Sequence, residues 1–213
     1  MTPSEQTNPS DRIEQFVSTL TPTGWFEPLY AAADGDPNHV PWAKLTPHPA
    51  LQQWLSHREL DQATPRALVI GCGLGDDAEA LGHHGYRTTA FDISPTAIAW
   101  CQRRFPDSGV AYKVADLFDL PSDWAQAFDL VFECRTVQAL PLAVRDAAID
   151  GIAHLVTPGG RLLVMTRLSD TVSDGPPWPL RELDLARFAA KLTEDYRQEV
   201  AGNAPQVWVE YRR

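Results

Sequence analysis

Three glycines, Gly71, Gly73 and Gly75, stand at alternate positions in the stretch RALVIGCGLGDDAEAL, residues 66–81, with Asp76 and Asp77 directly behind them. Glycine inside a strand or helix is destabilising, so this run, straight after an apolar segment, marks a place that needs bare backbone. The chemistry that needs it is close approach of a ligand at a tight strand-to-helix turn. A dinucleotide site wants the spacing G-x-G-x-x-G, with a pyrophosphate on the helix N-terminus. Here the spacing is G-x-G-x-G, and Asp76 occupies the place of the last glycine. Two carboxylates beside the loop repel a pyrophosphate. They suit a ligand that carries an ammonium or a sulfonium group.

Two more acids follow. Asp92 lies 21 residues after Gly71, at the end of RTTAFDI (87–93), where a carboxylate takes both ribose hydroxyls of a nucleoside. Asp116 ends the segment KVADLF, placed to accept from an adenine amino group while the Leu117 amide donates to a ring nitrogen. Nicotinamide dinucleotide sites use an acid like Asp92 as well. The carboxylates beside the glycine loop are what favour S-adenosylmethionine (SAM) over NAD.

Such residues converge only if successive strands end on one side of a sheet. The apolar runs RALVI (66–70), RTTAFDI (87–93), GVAYKVAD (109–116), FDLVFE (128–133) and GGRLLVMTRL (159–168) read as five strands. Between them lie helical patterns from Asp77 to His84, from Ser94 to Phe105 and over 142–156, with another at 180–192. Ser94 is an N-cap and Pro95 suits the first helical position. The alternation implies a doubly wound parallel α/β sheet. DYRQEV and QVWVEYR, separated by the short turn AGNAP, suit an antiparallel hairpin at its edge. Residues 1–60 form an N-terminal arm with one helix around 49–58, capping the cofactor site, and 61–213 form the SAM-binding domain as a single globular unit.

Composition narrows the class. The 213 residues carry a net charge of −10, which disfavours a nucleic-acid partner. Three widely spaced cysteines, Cys72, Cys101 and Cys134, form neither a disulfide framework nor a zinc motif, and a reducing, cytoplasmic setting follows. No apolar run approaches ~18 residues, so no membrane association is expected. The opening MTPSEQTNPSDR lacks the features of a secretory signal and reads as a loose arm or lid. A monomer and no metal are expected.

Over residues 66–168 the motifs VIGCGLG, AFDIS, VADLF, FDLVFE and LVTPGGRLLV stand in the order of the class I SAM-dependent methyltransferases, which the chain resembles. That resemblance implies a Rossmann-like seven-stranded sheet with an antiparallel last strand. Outside the sheet, FEPLY (26–30), Pro41–Trp42 with Pro49, GCGLGDD with its acid at Asp77, and SDGPPW (173–178) look like the thiopurine S-methyltransferase and plant halide/thiol methyltransferase group. The chain departs from that group's pattern at Ala43, in place of an acid, and at Trp178, in place of the plant-like tyrosine. The resemblance implies SAM, released as S-adenosylhomocysteine, held by Trp42, Gly71, Gly73, Gly75, Asp77, Asp92, Ile93, Asp116, Leu117 and Glu133. Tyr30, Arg135 and Trp178 are the expected acceptor-binding residues.

The loop after the fourth strand, ECRTVQAL (133–140), is where methyl transfer should occur. It lacks the D/N-P-P-aromatic motif of N-methylating enzymes. Glu133 and Arg135 are its polar candidates, as a base and as a holder of an anionic acceptor; a surface ion pair is the alternative for Arg135. Cys72 reads as a small packing residue, and His83 and His84 as a helix end. The reading is a methyltransferase of small molecules, acting at sulfur, with O- or N-methylation as the rival. A SAM-binding regulator without turnover is the alternative from another class.

Overall fold

A computed structural model describes residues 22–60, 64–171, 175–200 and 205–213. The opening segment, Ser173 and Asp174 of the SDGPPW motif, and most of the AGNAP turn therefore lie outside the described residues. Five strands, β1 (Arg66–Ile70), β2 (Arg87–Asp92), β3 (Ala111–Val114), β4 (Phe128–Cys134) and β5 (Val156–Arg167), run parallel to one another. Strands β6 (Thr193–Val200) and β7 (Gln206–Arg212) complete a seven-stranded sheet in the order β3-β2-β1-β4-β5-β7-β6. Strand β7 is antiparallel to both neighbours, as the resemblance implied. The hairpin folds back so that β7 sits inside and the exposed, charge-rich β6 forms the edge. Among the described residues no helix is long and apolar enough to cross a membrane.

The order reverses at β1, with β2 on one side and β4 on the other. The carboxyl ends of β1 and β4 therefore open a crevice, the usual ligand site of a doubly wound sheet. Helices α3 (Asp76–His83), α4 (Pro95–Arg104), α5 (Leu142–Leu155) and α6 (Glu182–Ala189) flank the sheet, and one buried cluster lies on each face. Leu68, Ile70 and Val164 look into one cluster, and Val69, Phe132 and Met165 into the other. Strands buried on both faces read as continuous apolar runs, which is why RALVI was legible. Ser94 caps α4 by accepting from the Ala97 amide at 3.0 Å, with Pro95 in the first turn. The third strand is shorter than the sequence suggested, because only its middle pairs with β2.

The arm holds more structure than one helix. Besides α2 (Pro49–Ser56) it forms α1 (Phe26–Ala32) and a 3₁₀ turn at Pro37–His39. Pro28 obscures α1 in the sequence, yet it lies in the first turn, where its missing N–H has no intrahelical acceptor anyway. A third cluster joins Trp25, Leu29, Tyr30 and Val40 of the arm to Leu74 and Trp100. Glu27 accepts from the Ser94 hydroxyl at 2.5 Å and from the Thr96 amide at 3.1 Å, so an arm carboxylate sits at the positive end of α4. Burial pushes the Glu27 carboxyl up, but these hydrogen bonds outweigh it and hold it below its ordinary range. At the other end, Glu210 of β7 accepts from Arg58 at 2.8 and 2.9 Å and from the Trp54 indole at 2.9 Å.

Candidate active site

A cavity of about 640 Å³ opens at the carboxyl ends of β1 to β5, between the sheet and the arm. That volume lies within the ~300–1,000 Å³ usual for small-molecule sites. Gly71 and Gly73 form part of its wall. All three loop glycines have positive φ, at +57°, +55° and +92°. A Cβ on Gly71 would lie 2.5 Å from Thr136 Oγ1, and one on Gly75 would lie 2.6 Å from the Tyr112 hydroxyl. The bare backbone is thus required twice over, by conformation and by close approach. Gly75 does not line the cavity; it starts α3 from beneath.

Asp92 and Ile93 line the same wall, and Asp92 is 6 % exposed. Its carboxylate accepts from the Gly73 amide and from the Ser94 amide, both at 3.0 Å, and so pins the glycine loop to the end of β2. Burial pushes its pKa up to about 6 against the pull of these amides. Asp77 also lines the cavity and accepts from the His48 amide at 2.6 Å, which ties the loop to the arm. Burial raises it to about 6 as well, with the His48 amide opposing. Asp116 and Leu117 line the far side, where Asp116 also closes a turn by accepting from the Phe118 amide at 2.9 Å.

Asp76 corrects one expectation. The sequence argument gave it, with Asp77, the task of attracting a cation. Its carboxylate is instead bound by both ends of the Arg104 guanidinium, at 2.7 and 2.9 Å, so its charge is already neutralised. Arg104 stands in the last turn of α4, a relation invisible in linear sequence.

From the arm, Trp42 and Tyr30 face the cavity. The Trp42 indole donates to the Tyr30 hydroxyl at 2.8 Å, and their rings meet edge to face at 5.7 Å. Trp25 stacks on Phe26 at 4.0 Å, and its buried indole N–H has no acceptor among the described residues. This gives the cavity an aromatic roof over the glycine loop.

Arg135 lines the acceptor side with φ +63°, a left-handed conformation that costs a non-glycine residue about 1–2 kcal/mol. Its guanidinium donates to Gln206 at 2.5 Å, and no ion pair holds it among the described residues. Its Nε is buried without an acceptor. Among the described residues, the surface ion pair considered for Arg135 does not form.

Glu133 and Trp178 do not line the cavity. Glu133 is fully buried below it, and its Oε1 accepts from the Thr136 and Val137 amides at 2.7 and 2.9 Å. It shapes the loop after β4 from underneath, with burial raising its pKa to about 7. Trp178 is held through its backbone. Its amide donates to the Gln138 carbonyl at 2.7 Å and its carbonyl accepts from the buried Arg145, while the neighbouring Pro176 and Pro177 form the wall.

Because Glu133 uses one oxygen for both amides, Glu133→Gln can keep them while removing a buried charge. We expect it to leave stability near or above that of the parent and turnover within about tenfold, ~1.4 kcal/mol of barrier. Glu133→Ala strands both amides and is expected to cost about 2–3 kcal/mol. Thermal unfolding of the two variants checks this, and equal losses would contradict the capping role.

Sequence reasoning missed His48, Thr136 and Arg167, all of which line the cavity. His48 was within reach, since it precedes the singled-out Pro49. Its Nδ1 accepts from the Ala50 amide at 3.2 Å, capping α2. Burial, then the charge of Arg135, lowers its pKa to about 4, so the ring is neutral near pH 7 with its proton on Nε2. Cys72 lines the cavity too, but contact with Cys101 and burial raise its thiol, which makes it a poor nucleophile. Among the described residues no group of three or more histidines, cysteines or acids is placed to hold a metal.

The family model described as thiopurine S-methyltransferase matches residues 36–208. A probable thiol methyltransferase of Arabidopsis thaliana is 28 % identical over 170 residues, 79 % of this chain and 72 % of that protein. A ubiquinone biosynthesis O-methyltransferase of Xylella fastidiosa (strain 9a5c) is 30 % identical over 159 residues, 73 % of this chain but only 57 % of that relative's length. The crystal structure of the N-methyltransferase NodS from Bradyrhizobium japonicum WM9, in complex with S-adenosylhomocysteine, shares the fold with a TM-score of 0.63 and 20 % identity, covering 97 % of this chain and 98 % of that one. With the family model spanning the later part of the arm from residue 36, the glycine loop and the strand ends that build the cavity, the chain belongs to the thiopurine S-methyltransferase family of class I SAM-dependent methyltransferases.

Proposed function

We propose that this chain transfers a methyl group from SAM to a small molecule, at sulfur. The observation that carries the reading is the cavity at the strand ends, where the glycine loop, Asp92 and the aromatic roof meet Arg135 of the acceptor loop. The residues fit SAM. Asp92 and Asp116 would take the ribose and the adenine amino group, and Asp77 lies beside the loop that would carry the cationic methionine part. Bound SAM would supply an electrophilic methyl group on a positive sulfur. The protein's part is then largely positioning, with the roof excluding water and the loop after β4 aligning the nucleophile.

Sulfur is favoured because Glu133, the one carboxylate of the loop after β4, does not line the cavity and is engaged by its own loop amides. A thiolate needs no general base in place, and the positive charge of Arg135 favours the ionised form of a bound thiol, ordinarily near pKa ~8.5. The O-methylating relatives keep a phenol acceptor as the second reading. The three free cysteines fit a cytoplasmic setting, and a monomer completes the proposal. Calorimetry with S-adenosylhomocysteine, followed by labelled SAM with paired thiols and phenols, is the test. Turnover of phenols alone would overturn the sulfur assignment, and tight NAD binding with no S-adenosylhomocysteine heat would overturn the cofactor.

The arm belongs to this proposal as a cover over the cofactor. Hydrogen exchange across residues 22–48 should slow by at least tenfold when S-adenosylhomocysteine is added. Protection confined to residues 70–117 would make the arm a fixed support instead.

A further inference from the structure

The charges around the cavity are segregated. Asp76, Asp77, Asp92 and Asp116 come from the β1 to β3 side, whereas the cations Arg135 and Arg167 come from the ends of β4 and β5. These are adjacent parallel strands with Cys134 opposite Met165, and the Arg135 amide donates to the Met165 carbonyl at 2.9 Å. Both arginines therefore leave one rim of the sheet, on strands about 4.8 Å apart.

Each has donors to spare. The Arg135 Nε is buried without an acceptor among the described residues, and only one end of its guanidinium is engaged, by Gln206. The Arg167 guanidinium makes no hydrogen bond or ion pair among the described residues, although its backbone is fixed. Its amide donates to Gln138 Oε1 at 2.8 Å, and its carbonyl accepts from the Leu180 amide at 3.0 Å. His48, whose neutral ring is close enough to feel the Arg135 charge, and Lys44, a third cation, line the same cavity. Two acids feel the charge of Arg135, Asp77 and the buried Glu133; Asp77 already accepts from the His48 amide, and Glu133 from the Thr136 and Val137 amides. On a chain of net charge −10, two arginines on one wall with no ion-pair partner among the described residues suit an anionic ligand.

We propose that this wall is an oxyanion subsite, in which Arg167 together with Arg135 binds a carboxylate carried by the methyl acceptor. The proposal rests on the methyltransferase reading above and names its substrate class. The carboxylate is not the reacting group; it orients the acceptor so that a second atom, the nucleophile, faces the sulfonium methyl. That atom forms a bond to the methyl carbon while the carbon–sulfur bond breaks, and the electron pair passes to sulfur. A thiolate and a sulfonium thereby give a neutral thioether and S-adenosylhomocysteine, while the carboxylate remains on the arginines. Arg167 stands at the end of β5, outside the acceptor loop that the sequence pointed to.

The test uses paired acceptors, 3-mercaptobenzoate against thiophenol and 3-hydroxybenzoate against phenol. The parent protein should prefer the carboxylated member of the reactive pair by at least tenfold in kcat/KM. Arg167→Gln should bring that ratio close to one by raising KM for the acid, with little change in kcat. Arg103→Gln, the same charge change at an exposed site on α4, should leave the ratio as it was. If no pair turns over, calorimetry of 3-mercaptobenzoate on the S-adenosylhomocysteine-loaded protein reads the subsite directly, and Arg167→Gln should weaken it at least tenfold. A parent preference for the neutral member, a ratio untouched by Arg167→Gln, or no binding of the acid to the loaded protein overturns the subsite. Failure of S-adenosylhomocysteine itself to bind overturns the underlying reading and is seen separately.

Discussion

Gly71→Ala is expected to weaken S-adenosylhomocysteine binding at least a hundredfold, about 2.7 kcal/mol, and to lower stability by about 2–4 kcal/mol. Two costs combine. The backbone at φ +57° is left-handed, which charges alanine about 1–2 kcal/mol. The new methyl group also falls 2.5 Å from Thr136 Oγ1 and 2.9 Å from its Cγ2, so one loop must move. Thr136 resists, because its hydroxyl donates to the Ile70 carbonyl at 3.0 Å and its amide donates to Glu133. The clash therefore displaces the glycine loop and the acceptor loop together. Gly159→Ala supplies the control. It has φ +82° with nothing within 4 Å of the added Cβ, so it should lose only the backbone part and keep its cofactor affinity. Gly71→Ala combined with Thr136→Ala removes the clash but not the strain, and should recover part of the stability. Calorimetry and thermal unfolding of the three variants decide the matter; wild-type affinity in Gly71→Ala would remove the loop from the site.

Asp92→Ala should cost about 1.5–3 kcal/mol of cofactor binding, roughly 10- to 150-fold, with a stability loss of about 2–3 kcal/mol, as for Glu133→Ala. The carboxylate is the acceptor for the Gly73 and Ser94 amides, so its removal frees the glycine loop as well as the expected ribose contact. Burial of the carboxylate sets the pH dependence. With Asp92 and Asp77 both near 6 in the folded protein, against an ordinary 3.8, the folded state holds protons that the unfolded chain has released between these values. The contribution of these two groups to stability is therefore highest below pH ~4, falls as pH rises to about 6, and is level above it. A cationic cofactor needs the ionised forms, so its affinity should run the other way, weakening from pH 7 to 5 by about tenfold for each carboxylate that meets it, about a hundredfold for both. Affinity that stays flat across that range, or Asp92→Ala binding as the parent does, would show that these carboxylates do not meet the ligand.

Much of the cavity wall at the ends of β1 to β3 was legible because its signals are local. Each acid or glycine stands at the end of its own apolar run, and strand order in a doubly wound sheet brings those ends together. Ser94 and Pro95 announced their helix in the same way, through short-range hydrogen bonding and a fixed φ. The acceptor half depends on relations between distant segments. Whether Asp76 keeps its charge depends on Arg104 a helix away, and whether Glu133 reaches the acceptor depends on which way a buried carboxylate turns beneath its own loop. Arg167 gave no signal, because an arginine at a strand end acquires meaning only when its neighbour on the sheet proves to be Arg135 and neither meets a carboxylate in ion-pair contact among the described residues. The sequence by itself determined the succession of strands and helices, the glycine loop and the acids, since periodicity and backbone conformational preference act within a few residues. Only the tertiary structure decided which charges are neutralised, which are buried and which face the cavity, because electrostatic pairing and desolvation are set by neighbours across space.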